Sequence, residues 1–181
     1  FHPPRSGGEE RYYHLYTALS RDFDITLVSP THPDHVLEVV RFGPRLREHR
    51  VPKGLLHLRL HQALDAEQIG PECSGLVCAL ASADEDEYRR VVRGLLPEAD
   101  AVIHEFPYML GYDEGFGRDG RPRIYNSHNL EARMAADLFR GAAHRRYVRF
   151  VTDLEARLVA GSDLVFATSE SEREGFHARY G

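Results

Sequence analysis

Apolar residues in this chain recur in two ways, at helical spacing in some windows and as short unbroken runs in others, and the two alternate from end to end. Tyr12, Leu15, Tyr16 and Leu19 stand at i, i+3, i+4 and i+7, the stripe of an amphipathic helix. Ahead of them Ser6, Gly7, Gly8 and Glu9 match the capping-box pattern, in which a serine oxygen takes one free amide and the glutamate reaches back to the cap. A helix is expected to begin there and to end near residues 20–22. The run at 23–29 is short, β-branched and bounded by Pro30, which predicts a strand, and 36–42 predicts another, closed by Gly43 and Pro44. Between Arg45 and Pro71 the signal weakens. A helix over 54–64 and a second one opened by Pro71, running through Leu76 and Leu80, fit best.

Ser82 to Glu85 forms a second capping box, followed by Tyr88, Val91, Val92, Leu95 and Leu96 at helical spacing and a stop at Pro97. Residues 100–104 read as a buried strand, 111–122 as a Gly-rich loop and 123–126 as a short strand leading to Ser127, His128 and Asn129. Asn129 is placed to cap a helix with Leu130, Met134 and Leu138 on one face. After Gly141 another helix carries Tyr147, Val148, Val151, Leu154 and Leu158, with Glu155 close to that stripe. Residues 163–168 predict a strand, and Ser169 to Glu172 a third capping box. Helices alternate with strands too apolar for a sheet wetted on one face. The expected fold is therefore α/β, a Rossmann-like parallel sheet with helices on both faces.

Composition narrows this further. The chain has 181 residues, which fits one domain, and 42% of them are hydrophobic, enough for a core without metals or disulfides. The net charge of −5 gives no electrostatic footprint for sequence-independent binding to nucleic acid, which is set aside as a partner. The longest weakly polar run, 73–83, is about half of the roughly 20 residues a bilayer span needs. Cys73 and Cys78 are too few for a disulfide framework and read as reduced thiols of a cytoplasmic protein. His57 and His61 would share a helix face but lack the glutamate of HExxH, so they read as a solvated face rather than a metal pair.

In a doubly wound sheet the strand-to-helix turns gather at the carboxyl ends of the strands, where ligands settle. Here those turns are 3–9, 104–108 and 127–129, with 169–171 as a fourth. Gly7 and Gly8 sit at a helix N-terminus, where free amides and the positive dipole end favour an anion, and Arg5 adds a charge. The pair is neither G-x-G-x-x-G nor a P-loop, and a glycine pair before a helix also has a purely structural reading. His128 can point into the cleft or cap the strand end through the backbone. Glu105 is the one carboxylate at the exit of its strand, open to a catalytic, ligand-orienting or merely solvated role. His104, inside the apolar run, reads as a core histidine.

The string HPPRSGGEERYYHLYTALSRDFDITLVSP resembles the start of family 4 glycosyltransferases, and DAVIHEFPY, RIYNSHNLEARM and LVAGSDLVFATSESEREGF resemble that family's later strand-to-helix junctions. The resemblance implies half of a GT-B architecture. Residues 1–181 would be the N-terminal, acceptor-binding domain, with the first strand and the C-terminal nucleotide-sugar domain outside this chain. It implies transfer of a sugar from a nucleotide-sugar donor to a glycan or lipid-linked acceptor, with retained configuration, no cofactor and no obligatory metal. The setting implied is surface polysaccharide or glycolipid synthesis of bacterial type, in the cytoplasm, with room for peripheral membrane contact by the full-length protein. Gly7 and Gly8, with Arg5, match the loop that approaches the donor diphosphate. His128 matches a histidine that contacts the transferred sugar. Glu105, Tyr108 and Asn129 fall on the acceptor side. The Glu-x7-Glu pattern and basic phosphate clamp of such enzymes are absent, so this chain alone is expected to be catalytically silent. The rival is a non-catalytic flavodoxin-like binding or signalling domain, which the same alternation would build. A receiver-type version would need an acidic cluster at the strand exits, and apart from Glu105 these offer Gly, Ser, His and Asn.

Overall fold

A computed structural model describes residues 3–4, 7–69, 73–116, 120–141 and 144–181. The chain is α/β. Its elements are α1 (Gly7–Leu19), β1 (Ile25–Thr31), β2 (Glu38–Gly43), β3 (Leu46–Pro52), α2 (Leu55–Ala66), α3 (Ser74–Ala81), α4 (Glu87–Leu95), β4 (Val102–His104), β5 (Arg123–Asn126), α5 (Glu131–Leu138), α6 (Arg145–Gly161), β6 (Leu164–Phe166) and α7 (Glu170–Tyr180). The expected Ser6 cap and the helix start at Pro71 lie outside the described residues.

The strands form two three-stranded sheets rather than one continuous sheet, β1-β3-β2 and β4-β5-β6. The second is wholly parallel and, with its helices, makes a Rossmann-like half. The first is mixed, because β3 runs parallel to β1 and antiparallel to β2. Strand β3 was not expected from the pattern. Its inward positions are Leu46 and Glu48, and a buried glutamate in the middle breaks the apolar alternation that would announce a strand. Arg50 satisfies that carboxylate at 2.9 Å. Pro30 lies inside β1 without cost to the ladder. Ile25 and Thr31 make the bonds to the β3 side, so the missing N–H of Pro30 falls on the opposite edge.

Two expected caps are shifted. Helix α4 starts at Glu87, with Asp86 accepting the Arg89 amide at 2.7 Å, while Ser82 closes α3 and bonds the Ala79 carbonyl. Helix α5 has Leu130 at its N-cap and no side-chain cap from Asn129. Its first amides are taken by Glu155 of α6, which is completely buried: Oε1 accepts from Glu131 N and the Tyr125 hydroxyl, and Oε2 from Ala132 N and the Tyr180 hydroxyl, all within 2.8–2.9 Å. This replaces the expected packing of α5 as well. Glu131, Ala132 and Ala135 face inward, and Leu138 is left exposed. Ser169 does cap α7, by accepting the Glu172 amide.

Asp113 locks the segment after β4 to the sheet, since its Oδ2 lies 3.2 Å from His104 Nε2 and 2.9 Å from Arg123 Nη2. Burial works to raise the Asp113 carboxyl, but those two partners outweigh it and hold it below the usual carboxylate range. His57 is buried as well, against the Tyr112 hydroxyl, so the solvated face expected for it is not there. Both cysteines are free, and burial pushes the Cys78 thiol up to about 11.

Across the parallel sheet, the register aligns Ile103, Ile124 and Leu164 in one row, with Phe166 one step further along the same face. Ile103, Leu164 and Phe166 are exposed. The opposite face carries Tyr125, which packs edge-on against Phe176 of α7.

Candidate functional site at the strand ends

Helix α1 crosses the carboxyl ends of β4 and β5, and its inward face decides what gathers there. Gly8, Tyr12 and Tyr16 stand at i, i+4 and i+8, one above another on the same side of the helix, with Arg11 beside them. Glu105 directly follows β4, Asn126 ends β5, and His128 comes two residues later. These residues form one connected hydrogen-bond network.

Its centre is Glu105. The carboxylate accepts from His128 Nε2 at 2.7 Å, from Asn126 Nδ2 at 2.9 and 3.1 Å, and from the Tyr16 hydroxyl. Asn126 is held in turn from its other end, where Oδ1 accepts from Arg11 Nη2 at 2.7 Å, and Arg11 Nη1 reaches the Ser127 carbonyl at 3.2 Å. Burial, and then the charge of Glu105, push the Tyr12 hydroxyl up to about 12, and the same two causes push Tyr16 higher still. Both phenols therefore keep their protons, and Tyr16 can only donate to the carboxylate it touches.

The imidazole of His128 is held by an aromatic ring on one face, another at its edge and Glu105 at Nε2. Phe106 stacks on it at 5.0 Å and 15°, and Tyr12 meets it edge-on at 4.9 Å and 81°. Its side chain is only 7% exposed. Because a carboxylate offers no proton, Nε2 carries the hydrogen of the His128–Glu105 bond, and Nδ1 is left facing α1. A Cβ on Gly8 would sit 3.5 Å from that nitrogen, an ordinary contact. A Cβ on Gly7 would meet nothing among the described residues. Neither glycine has a left-handed φ, so the fold tolerates side chains here. Two glycines nonetheless weaken the first turn of α1 by about 1 kcal/mol each relative to alanine. What they add is bare backbone at the positive end of a helix dipole.

The fourth turn joins the site as well. The Thr168 hydroxyl bonds the His128 carbonyl at 3.3 Å, and Glu172 of α7 accepts the Leu130 amide at 2.7 Å, which fixes the loop on either side of Asn129. Asn129 itself is exposed, and its carbonyl accepts from Ser127 Oγ at 2.6 Å.

Of the residues singled out from sequence, Gly7, Gly8, Glu105, His128 and Asn129 lie at this one rim. Tyr108 is turned inward. Its hydroxyl donates to Glu131 at 2.9 Å, and its ring fills the space where a Cβ on Gly75 would stand 2.5 Å from it. Arg5 lies outside the described residues. Sequence reasoning missed Arg11, Phe106 and Asn126 as members of the network. Arg11 carried a readable signal, because it stands three residues after Gly8 on a helix whose N-terminus faces the strand ends. No group of three or more His, Cys, Asp or Glu among the described residues is placed to hold a metal ion, and no described helix is long and apolar enough to cross a membrane.

The rim thus presents a clamped imidazole with one nitrogen directed at an amide-rich helix start, a surface suited to a neutral hydroxyl beside an anion. The chain matches no protein-family model, no curated protein and no solved structure.

Proposed function

We propose that this chain is the N-terminal, acceptor-side half of a retaining GT-B glycosyltransferase, acting in the cytoplasm with a second domain that holds the nucleotide. The observation that carries the reading is the contact between Gly8 and His128, 120 residues apart in sequence and adjacent at the strand ends. Sugar transfer from a nucleotide sugar breaks the bond between the anomeric carbon and a diphosphate oxygen. It forms one to an acceptor oxygen, whose proton is released. Negative charge grows on the departing diphosphate, and the amides of Gly7 and Gly8, at the positive end of α1, are placed to stabilise it. His128 Nδ1 would accept a hydrogen bond from a hydroxyl of the transferred sugar. Glu105 would fix the tautomer and plane of the ring, and Phe106 and Tyr12 would keep it from turning. Glycan or lipid-linked acceptors, and a role in surface polysaccharide or glycolipid synthesis, complete the proposal on the strength of the sequence resemblance.

The test uses the full-length protein and a panel of nucleotide sugars, with release of nucleoside diphosphate as the readout. We expect turnover with at least one donor. The His128→Ala variant should then lose about a hundredfold in rate, the scale of a misplaced reacting group, while its melting temperature moves by only a few degrees. Equal losses of rate and stability would assign His128 to the fold. Binding without turnover of any donor would favour the flavodoxin-like binding module.

A further inference from the structure

Strand β3 lies between β1 and β2, and its peptide groups decide which way those of β2 point. The Ile25 amide donates to the Arg45 carbonyl at 2.8 Å, and the Lys53 amide to the Thr31 carbonyl at 3.1 Å. Peptide groups along a strand turn alternately to its two neighbours, so the odd residues from Arg45 to Lys53 bond towards β1, and Glu48 and Arg50 towards β2. The register sets Glu38 opposite Arg50 and Val40 opposite Glu48. Glu38 and Val40 therefore bond inward, and the N–H and C=O groups of Val39 and Arg41 point out from the edge of the sheet. Among the described residues β2 pairs with β3 alone. No proline lies between residues 34 and 43, whereas the opposite edge, on β1, is interrupted by Pro30.

The side chains of the same two residues share one face of the strand. Val39 is 50% exposed, and Arg41 is exposed as well. The register puts Thr26, Arg47 and Arg41 in one row across the three strands, and Arg47 Nε donates to Thr26 Oγ1 at 2.9 Å. Two arginines thus stand directly opposite each other on neighbouring strands, an arrangement that like charges disfavour. Neither has a carboxylate partner among the described residues, and residues 41–47 hold three arginines and no acid in a chain of net charge −5. Burial, and then the charge of Arg47, hold His49 in the next row below the ordinary histidine value. An unpaired backbone edge beside unneutralised guanidiniums is the complement of a strand that brings its own acid.

We propose that β2 accepts an extended acidic peptide segment of a partner protein as a fourth strand of this sheet. The partner's backbone completes the bonds of Val39 and Arg41, its carboxylate meets the guanidiniums of Arg41 and Arg47, and its neighbouring apolar side chain covers Val39. The inference goes beyond the sugar-transfer reading and does not depend on it, because binding is measured without a sugar nucleotide.

The experiment is fluorescence anisotropy of the full-length protein with a labelled, end-blocked peptide, Thr-Glu-Thr-Val-Thr-Val-Thr-Glu-Thr, which reads the same in both directions. The parent should bind it and release it as salt shortens the screening length. The same peptide with glutamine for glutamate should bind about tenfold more weakly, since the contacts of a carboxylate with two guanidiniums are lost. A version N-methylated throughout, which can donate no backbone bond, should not bind. Val39→Pro removes an amide that bonds nothing in the ladder, so the variant should keep its melting temperature within a few degrees and lose the acidic peptide. If that variant fails to fold, Arg41→Gln with Arg47→Gln should still bind the acidic peptide about tenfold more weakly and no better than the glutamine peptide. Phe166→Lys, on the other sheet, should bind as the parent does. No binding by the folded parent, undiminished binding by either edge variant, or equal binding of the N-methylated peptide would overturn the proposal. So would a dimer of the parent that Val39→Pro dissolves, since a second copy would then hold the edge.

Discussion

Tyr16, Asn126 and His128 all donate to Glu105, so that side chain works as a fixed acceptor and not as a proton shuttle. In the proposed sugar-transfer reading, its role is to aim the ring of His128. The Glu105→Gln variant replaces an acceptor with an amide that must face at least one of those donors. Sugar transfer should fall by about tenfold or more, with the larger change in kcat if the ring is misaimed, and the split between kcat and KM in steady-state assays of the full-length protein measures this. Glu131 is the residue with the clearest pH signature. Burial, together with the nearby charge of Glu155, outweighs the hydrogen bond from Tyr108 and lifts its carboxyl to about 7. Between pH 4.5, its ordinary value, and 7, the folded chain holds a proton that the unfolded chain has released. Stability from this group is therefore full at low pH and is lost as pH rises through 7, by up to about 3 kcal/mol. Urea unfolding at a series of pH values should show that slope in the parent and a flatter one in Glu131→Gln.

Among the elements, α5 shows how a helix start can be satisfied from a distance. Its first amides bond to the Glu155 carboxylate of α6, which also collects the hydroxyls of Tyr125 from β5 and Tyr180 from α7. One buried anion ties four elements together. The Glu155→Ala variant leaves two amides and two hydroxyls unpaired in the interior and should cost about 3 to 5 kcal/mol, read as a shift in the urea midpoint. The pattern of apolar spacing placed α1, α6, β5 and the Ser169 cap correctly, because each follows a local rule. It failed at Asn129, where the distant Glu155 carboxylate does the capping, at Ser82, where the local Asp86 next to α4 does it instead, and at β3, where Glu48 points inward. In the candidate site, the glycines, His128 and Glu105 were legible because they stand at strand exits. Arg11 was legible only through its spacing from Gly8, and Phe106 and Asn126 were not legible, since their roles exist only once α1 lies over the strand ends.

At the scale of the molecule, the two sheets and their helices meet the expectation of an α/β chain, with the difference that β1-β3-β2 is mixed and separate from β4-β5-β6. The long-range contact that makes one site of Gly8 and His128 is a property of topology, and no local window of sequence contains it. The row of Ile103, Ile124 and Leu164, continued by Phe166, has its own consequence. Parallel sheets are rarely left wet on one side, and an apolar strip across a sheet face invites contact with whatever apolar surface diffuses past. Studied on its own, the chain should therefore be a sticky reagent, whose sedimentation coefficient climbs with concentration and whose Phe166→Lys derivative stays dispersed.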